Sequence, residues 1–276
     1  MASVGAVTLV DRFRERAGAC DGRVGAVLIG SEGQEVLALD ADGVYAAASV
    51  IKLPLVMTLY EDVKEGRISL EERLPIGERV GGSGVLRELV DVSAMSVRDL
   101  AVLTMEVSDN TATNHLIDRV GADRVHERLR SWGCTTTALR RKLFDDDARA
   151  RGLENVMTPR ETAALLRRVR ERAGAGDEAS ARVLRLLEGD QNTQRLGSFL
   201  PRGVVLAHKE GWLSDPEPVE NDAGIVRARE SVVAVGFTHG VHPVVARPLL
   251  GLLGLAAAEL AGADLGGLPS GVLRGA

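Results

Sequence analysis

Apolar residues recur near 3.6-residue spacing over residues 2–17, which predicts an amphipathic helix. Two runs with strand character follow, Arg23–Ile29 and Glu35–Leu39, on either side of the turn-like Gly30-Ser31-Glu32-Gly33. From Ser49 to Tyr60 the chain is apolar nearly all round, the pattern of a buried helix. Pro54 fits its first turn and Ser49 its N-terminal end. Residues 61–100 read as shorter helices and loops, with a flexible Gly81-Gly82-Ser83-Gly84. Ser96 is a good N-cap for a helix Val97–Glu106, with Asp99 completing a capping-box-like start. Residues 111–131 continue helical, and 134–157 form a charged loop containing Asp145-Asp146-Asp147. Thr158-Pro159 opens a helix to about Arg172, with proline at its first position. A polar turn, Gly174–Asp177, leads to a helix Ala179–Leu187. The last third changes character: Val204–His208, Ala223–Arg229 and Ser231–Phe237 read as strands, and Pro248–Ala261 as a closing helix.

This order segregates strands at the two ends from helices in the middle, which argues for an α+β fold rather than alternating βαβ units. The terminal pieces, 1–45 and 190–276, are expected to form one antiparallel sheet with the end helices, and residues 46–189 an inserted all-α lobe. At 276 residues, 45% hydrophobic and 26% charged, the composition is that of an ordinary globular chain. The net charge of −5, with no basic stripe, argues against nucleic acid as a partner. No run approaches ~20 consecutive apolar residues, so no membrane span is expected. The apolar stretch Val4–Val10 is ended by Asp11, Arg12 and Arg14 and does not resemble an export leader, so a bacterial, cytoplasmic monomer is the expectation. Cys20 and Cys134 cannot build a disulfide framework and read as reduced thiols.

Several familiar sites are absent. There is no Gly-x-Ser-x-Gly elbow, no phosphate-binding glycine loop and no zinc helix. His239 and His242 lie close in sequence but lack further ligands, so no metal is expected. What stands out is Ser49-Val50-Ile51-Lys52. On a helix, Ser49 and Lys52 share a face at i, i+3. A serine hydroxyl needs a base to become a nucleophile. A lysine can be that base if its pKa falls from ~10.4 toward ~7–8, through burial and a nearby second cation. The chain has 30 arginines and four lysines, Lys52, Lys64, Lys142 and Lys209. Since arginine cannot lose its proton and lysine can, each lysine draws attention. Ser108-Asp109-Asn110 follows about sixty residues later, and Lys209-Glu210-Gly211 lies on or just after a strand.

The order and spacing of these three elements resemble the penicilloyl-serine transferase superfamily, and most of all its class A β-lactamases. Ala48–Pro54 resembles that family's nucleophile segment, Met105–Ile117 its second motif, Thr158-Pro159 the end of its omega loop, and Asn221–Ile225 the strand after its third motif. The resemblance spans roughly residues 20–260. It implies a five-stranded antiparallel sheet flanked by terminal helices, an inserted all-helical lobe, and a site between them that needs no cofactor. It implies Ser49 as the acylated nucleophile, Lys52 as its base and Ser108 as a proton relay. Asn110 would bind the substrate amide, and Lys209 would supply positive potential. The backbone N–H groups of Ser49 and Trp212 would form the oxyanion hole, with Gly211 beside them.

Two departures qualify the resemblance. Glu210 stands where the family has a hydroxyl residue that binds the substrate carboxylate. At ~4 Å and an effective dielectric near 20, like-charge repulsion would cost about 4 kcal/mol. The omega loop lacks the family's Glu followed by Asn four residues on; Asp145 and Glu154 are the remaining acid/base candidates. The expectation is a serine hydrolase acting on a small-molecule amide or ester, with weak or absent turnover of ordinary β-lactams. A D-alanyl peptidase, a biosynthetic acyltransferase and a non-turning-over acyl sensor are the alternatives.

Overall fold

The computed structural model describes residues 8–266. Helix α1 (Leu9–Gly18) precedes strands β1 (Arg23–Ile29), β2 (Glu35–Leu39) and the short β3 (Tyr45–Ala46). A 3₁₀ turn, Ala48–Ile51, runs into α2 (Lys52–Lys64). Then come β4 (Arg73–Pro75), β5 (Ala94–Ser96), α3 (Val97–Glu106), α4 (Asn110–Val120), α5 (Ala122–Ser131), α6 (Asp146–Ala150) and β6 (Val156–Met157). The chain finishes with α7 (Pro159–Gly174), α8 (Glu178–Glu188), β7 (Val205–Leu213), β8 (Val219–Arg227), β9 (Ser231–His239) and α9 (Pro243–Leu260).

The fold is α+β, with a five-stranded antiparallel sheet in the order β2-β1-β9-β8-β7. Both faces are covered. Along β9, Val233, Val235 and Phe237 pack into the core shared with the helical lobe, while Val232 and Ala234 pack toward α1 and α9. That period of two, buried on each side, explains why the strand reads as a nearly continuous apolar run. Helix α7, from the middle of the chain, lies against β1 and β9 and joins the helical lobe to the sheet. Helix α9 is long and apolar enough in composition to cross a membrane, yet 61% of that stretch is buried within the fold. Its hydrophobicity is that of a core helix, with Leu249–Ala258 buried throughout.

The departures from the sequence reading have local causes. Residues 2–7 of the first expected helix lie outside the described residues, and the helix begins at Leu9 behind a Thr8–Asp11 capping box. Residues 111–131 form two helices, because Gly121 takes a left-handed φ of 86° that stops α4. The stretch 61–100 carries a two-stranded ribbon, β4 with β5, and the charged loop 134–157 contains α6 and β6, the latter paired with β3. Helix α9 starts at Pro243 and carries Pro248 inside it. Strand β7 runs on to Leu213 and β8 starts at Val219, so Lys209, Glu210, Glu220, Asn221 and Asp222 lie within strands. Those polar residues hide the strand pattern in sequence, and burial is made possible by pairing with one another and with neighbouring loops.

Phe13 is fully buried between the sheet and α9. Phe13→Ala is expected to destabilise the chain by about 3–5 kcal/mol, read from urea unfolding; a loss under about 1 kcal/mol would mean that this side of the sheet is loosely packed.

Candidate active site

Ser49 does not cap a helix. It lies inside the 3₁₀ turn, and no side-chain cap bond forms at the start of that turn or of α2. The turn is held from three directions. Asn221 Nδ2 donates to the carbonyls of Ala46 (2.8 Å) and Ala47 (3.3 Å), and the Ala47 N–H donates to the Asn155 carbonyl at 2.8 Å. From β7, Gly211 approaches so closely that a Cβ there would fall 2.5 Å from the Ser49 nitrogen. Only glycine lets the edge strand pass. Ala48, just before the serine, is held at φ 46°, a conformation that a non-glycine residue keeps only where its surroundings impose it.

Lys52 is completely buried at the start of α2. Its Nζ donates to the Ser108 carbonyl (2.7 Å), the Ser108 hydroxyl (3.0 Å) and Asn110 Oδ1 (2.8 Å). All three acceptors are neutral. Burial, and then the nearby Lys209, push the Lys52 amine well below the ordinary lysine range, against the weaker pull of Glu210, Asp109 and Asp190. As a free amine it has two hydrogens to share among these acceptors and one lone pair that can accept a hydroxyl proton. Ser108 sits at φ 55°, and Asp109 fixes the segment. Its carboxylate accepts from the N–H groups of Val85 and Leu86 (2.7 Å each) and caps α4 at Ala112 (2.9 Å). Asn110 donates one Nδ2 hydrogen to the Gly81 carbonyl (3.0 Å) and keeps a second for another acceptor.

Beneath β7 lies a cluster of buried charges. Lys209, fully buried, donates to Asp190 at 2.6 Å and lies 3.5 Å from Glu210. Arg195 pairs with Glu210 at 3.1 Å and also with Glu220, which Arg247 contacts at 2.9 Å. Lys209, Arg195 and Arg247 thus face Asp190, Glu210 and Glu220 charge for charge. Of the two readings the sequence leaves open for Glu210, a bare charge facing the substrate or a pair with an arginine, the structure shows the pair. Its side chain is 3% exposed and committed to Arg195 and Lys209, so it consumes positive charge instead of projecting a bare negative charge at the substrate. Next to the cluster, burial opposes a charge on His208, but Asp222 at 2.9 Å outweighs it and holds the imidazole proton above the usual histidine range.

A cavity of about 250 Å³ opens over Ser49, lined also by Asn110, Leu143, Phe144, Glu154 and Trp212. Asp145 does not line it; its side chain caps α6 at the Ala148 N–H, 2.9 Å away, so as an acid/base candidate it is withdrawn. Glu154 does line it, but its oxygens accept from Arg141 (2.7 and 3.0 Å) and from the Asn155 N–H (2.8 Å). The loop is tied to the second motif at Leu143, whose N–H donates to Asn114 Oδ1 at 2.8 Å and whose carbonyl accepts from Asn114 Nδ2 at 2.9 Å. Asn155 ties the two ends of the loop together, accepting from the N–H groups of Arg140 and Arg141. Among the described residues no group of three or more His, Cys, Asp or Glu could hold a metal; His242 caps α9 and His239 faces Glu217.

Sequence reasoning missed Asp190, Arg195, Glu220, Arg247, Asn114 and the anchoring role of Asn221. The available signal was the polar run Glu220-Asn221-Asp222 within a β-rich segment, which demands buried partners without naming them.

A profile of the β-lactamase enzyme family matches residues 8–260. The extended-spectrum β-lactamase PER-1 of Pseudomonas aeruginosa is 23% identical over 74% of this chain and 70% of its own length. The crystal structure of a β-lactamase from Sphaerobacter thermophilus superposes with a TM-score of 0.82 at 31% identity, over 92% of this chain and 97% of that one. A leucine-to-glutamate mutant of PBP-A, solved as an acyl-enzyme complex with penicillin G, gives a TM-score of 0.79 at 25% identity, over 91% and 95%.

The depressed Lys52 amine carries a pH signature. It is neutral above its own pKa and charged below, so any reaction that uses it as a base slows as pH falls through that value. In Lys209→Gln the loss of a neighbouring cation favours the ammonium, and the acidic limb is expected to move to higher pH in rates of covalent labelling. An unmoved limb would disconnect Lys209 from Lys52.

Proposed function

This chain belongs to the β-lactamase enzyme family and is a serine hydrolase of that fold, and from there we propose that it forms a covalent acyl-enzyme at Ser49 with a carboxylate-free amide or ester. The observation that carries the reading is Lys52, buried beside the nucleophile turn with only neutral hydrogen-bond acceptors. As the free amine it takes the Ser49 proton while Oγ attacks the carbonyl carbon. The N–H groups of Ser49 and Trp212 receive the developing oxyanion, an arrangement worth several kcal/mol of barrier. The Ser108 hydroxyl, 3.0 Å from Lys52 Nζ, passes the proton on to the leaving group. The spare hydrogen of Asn110 holds the substrate's amide carbonyl.

Two features set the substrate and the turnover. The charge-balanced cluster beneath β7 has no surplus cation for a substrate carboxylate, which favours neutral substrates and disfavours a D-alanyl peptidase. Deacylation needs a base for water. Leu143 occupies the Asn114-anchored loop position, and Glu154 is engaged by Arg141. Turnover of β-lactams is therefore slow. The same deficit suits transfer to a free amine, which is a stronger nucleophile than water and needs less help from a base.

Intact mass followed over time with a panel of β-lactams tests this. The wild type is expected to gain the mass of the acyl group faster from penicillin methyl esters than from the free penicillins and to keep it, and Ser49→Ala to gain nothing. Labelling that survives in Ser49→Ala removes the nucleophile, and rapid loss of the adduct with product removes the slow-turnover reading. Replacing Glu210 by Thr frees positive charge, and acylation by penicillins is expected to rise by roughly tenfold to a hundredfold; an unchanged rate would separate Glu210 from carboxylate discrimination.

A further inference from the structure

The chain is poor in aromatic residues, with four Phe, two Trp and two Tyr. Six of the eight are buried or partly buried. The two exposed ones are Phe144, at 52%, and Trp212, at 49%, and both line the cavity over Ser49. Exposed aromatic surface is unfavourable in water and is characteristic of recognition sites. Neither ring is on a casual surface. Phe144 is held at φ 59°, one residue after the Leu143 backbone that Asn114 bonds on both sides. Its ring packs so near Gly82 that a Cβ there would meet both the ring and Asn110 Nδ2 at 2.5 Å. Trp212 follows Gly211, the residue pressed against the Ser49 nitrogen. The Phe144 ring thus stands beside the amide-binding asparagine, and Trp212 lines the same cavity from β7.

The cations lining this cavity are already committed. Arg141 bonds Glu154, and Arg149 donates to the carbonyl and carboxylate of Asp215, while Asp146 adds a negative charge. An anionic acyl group finds no uncommitted cation here, whereas a flat apolar one meets two rings.

Resting on the acyl-enzyme reading above, we propose that Phe144 and Trp212 form the receiving surface for the acyl side chain, and that the substrates are amides or esters of an uncharged aromatic acid. The two rings flank the acyl group's own ring once the ester bond to Ser49 Oγ has formed. The Ser49 proton leaves through Lys52 to the departing amine, alcohol or thiol.

The test compares S-(2-hydroxyethyl) thioesters of acetic and phenylacetic acid, which share a non-aromatic leaving group. Ser49 Oγ displaces 2-mercaptoethanol, and intact mass reports the acyl group gained. The phenylacetyl ester is expected to label Ser49 about tenfold to a hundredfold faster. In Phe144→Ala and in Trp212→Ala that ratio is expected to fall toward one. Equal labelling by both esters in the wild type overturns the aromatic surface and leaves the nucleophile standing. A second arm is independent of acylation: phenylacetamide is titrated into Ser49→Ala and the tryptophan emission recorded. A saturable change that Phe144→Ala abolishes supports the surface even if neither ester labels, an outcome that would count against Ser49 as nucleophile. A flat emission titration overturns the surface.

Discussion

A lysine amine held out of water without a carboxylate of its own is the constraint around which this molecule is organised. Lys52 has only neutral acceptors, two from Ser108 and one from Asn110, and it is fully buried. An ammonium in that place would be costly, so burial shifts the balance toward the free base. The strained φ of Ser108, the three N–H groups gathered by Asp109 and the Asn110 bond to Gly81 hold the acceptors in place. Geometry and protonation state come from one arrangement.

The buried charges under β7 serve the same end at a distance. Lys209 adds repulsion that lowers the Lys52 amine further, and its own charge is tolerated because Asp190 lies 2.6 Å away. Removing one member of such a set strands another charge in a dry environment, which is far more destabilising than the pair is stabilising. Arg195 couples the loop after α8 to β7 and β8, so the edge strand beside the nucleophile is fixed through ion pairs as well as through sheet hydrogen bonds. The consequence for the proposed recognition is a site whose cations are paired from within, leaving backbone N–H groups, one amide and two aromatic rings to meet a substrate.

Much of this was legible along the chain. Strands β1 and β2 have the limits that alternation predicts, because they lie between clear turns and carry few internal polar residues. Ser96 caps α3 and Thr158 caps α7 as their side chains dictate. Ser49, Lys52, Ser108 and Asn110 were identifiable as a candidate set through the resemblance of their motifs, in order and spacing, to the penicilloyl-serine transferases; the structure brings Lys52, Ser108 and Asn110 into hydrogen-bond contact. Strands β7 and β8 were cut short in the sequence reading for the opposite reason: their central residues are charged, and charge in sequence is indistinguishable from exposure until partners are known.

The sequence by itself determined the α+β class and most of the longer elements, which depend on local periodicity and capping, and through its motifs it offered the candidate reacting groups. Only the tertiary structure decided the state of those groups. It paired Glu210 with Arg195 rather than with the substrate, turned Asp145 into a helix cap, tied Glu154 to Arg141, and set Leu143 at the position held by Asn114. The partners of a buried charge come from distant segments, and the balance between desolvation and pairing is a property of the packed interior. No single stretch of chain encodes it.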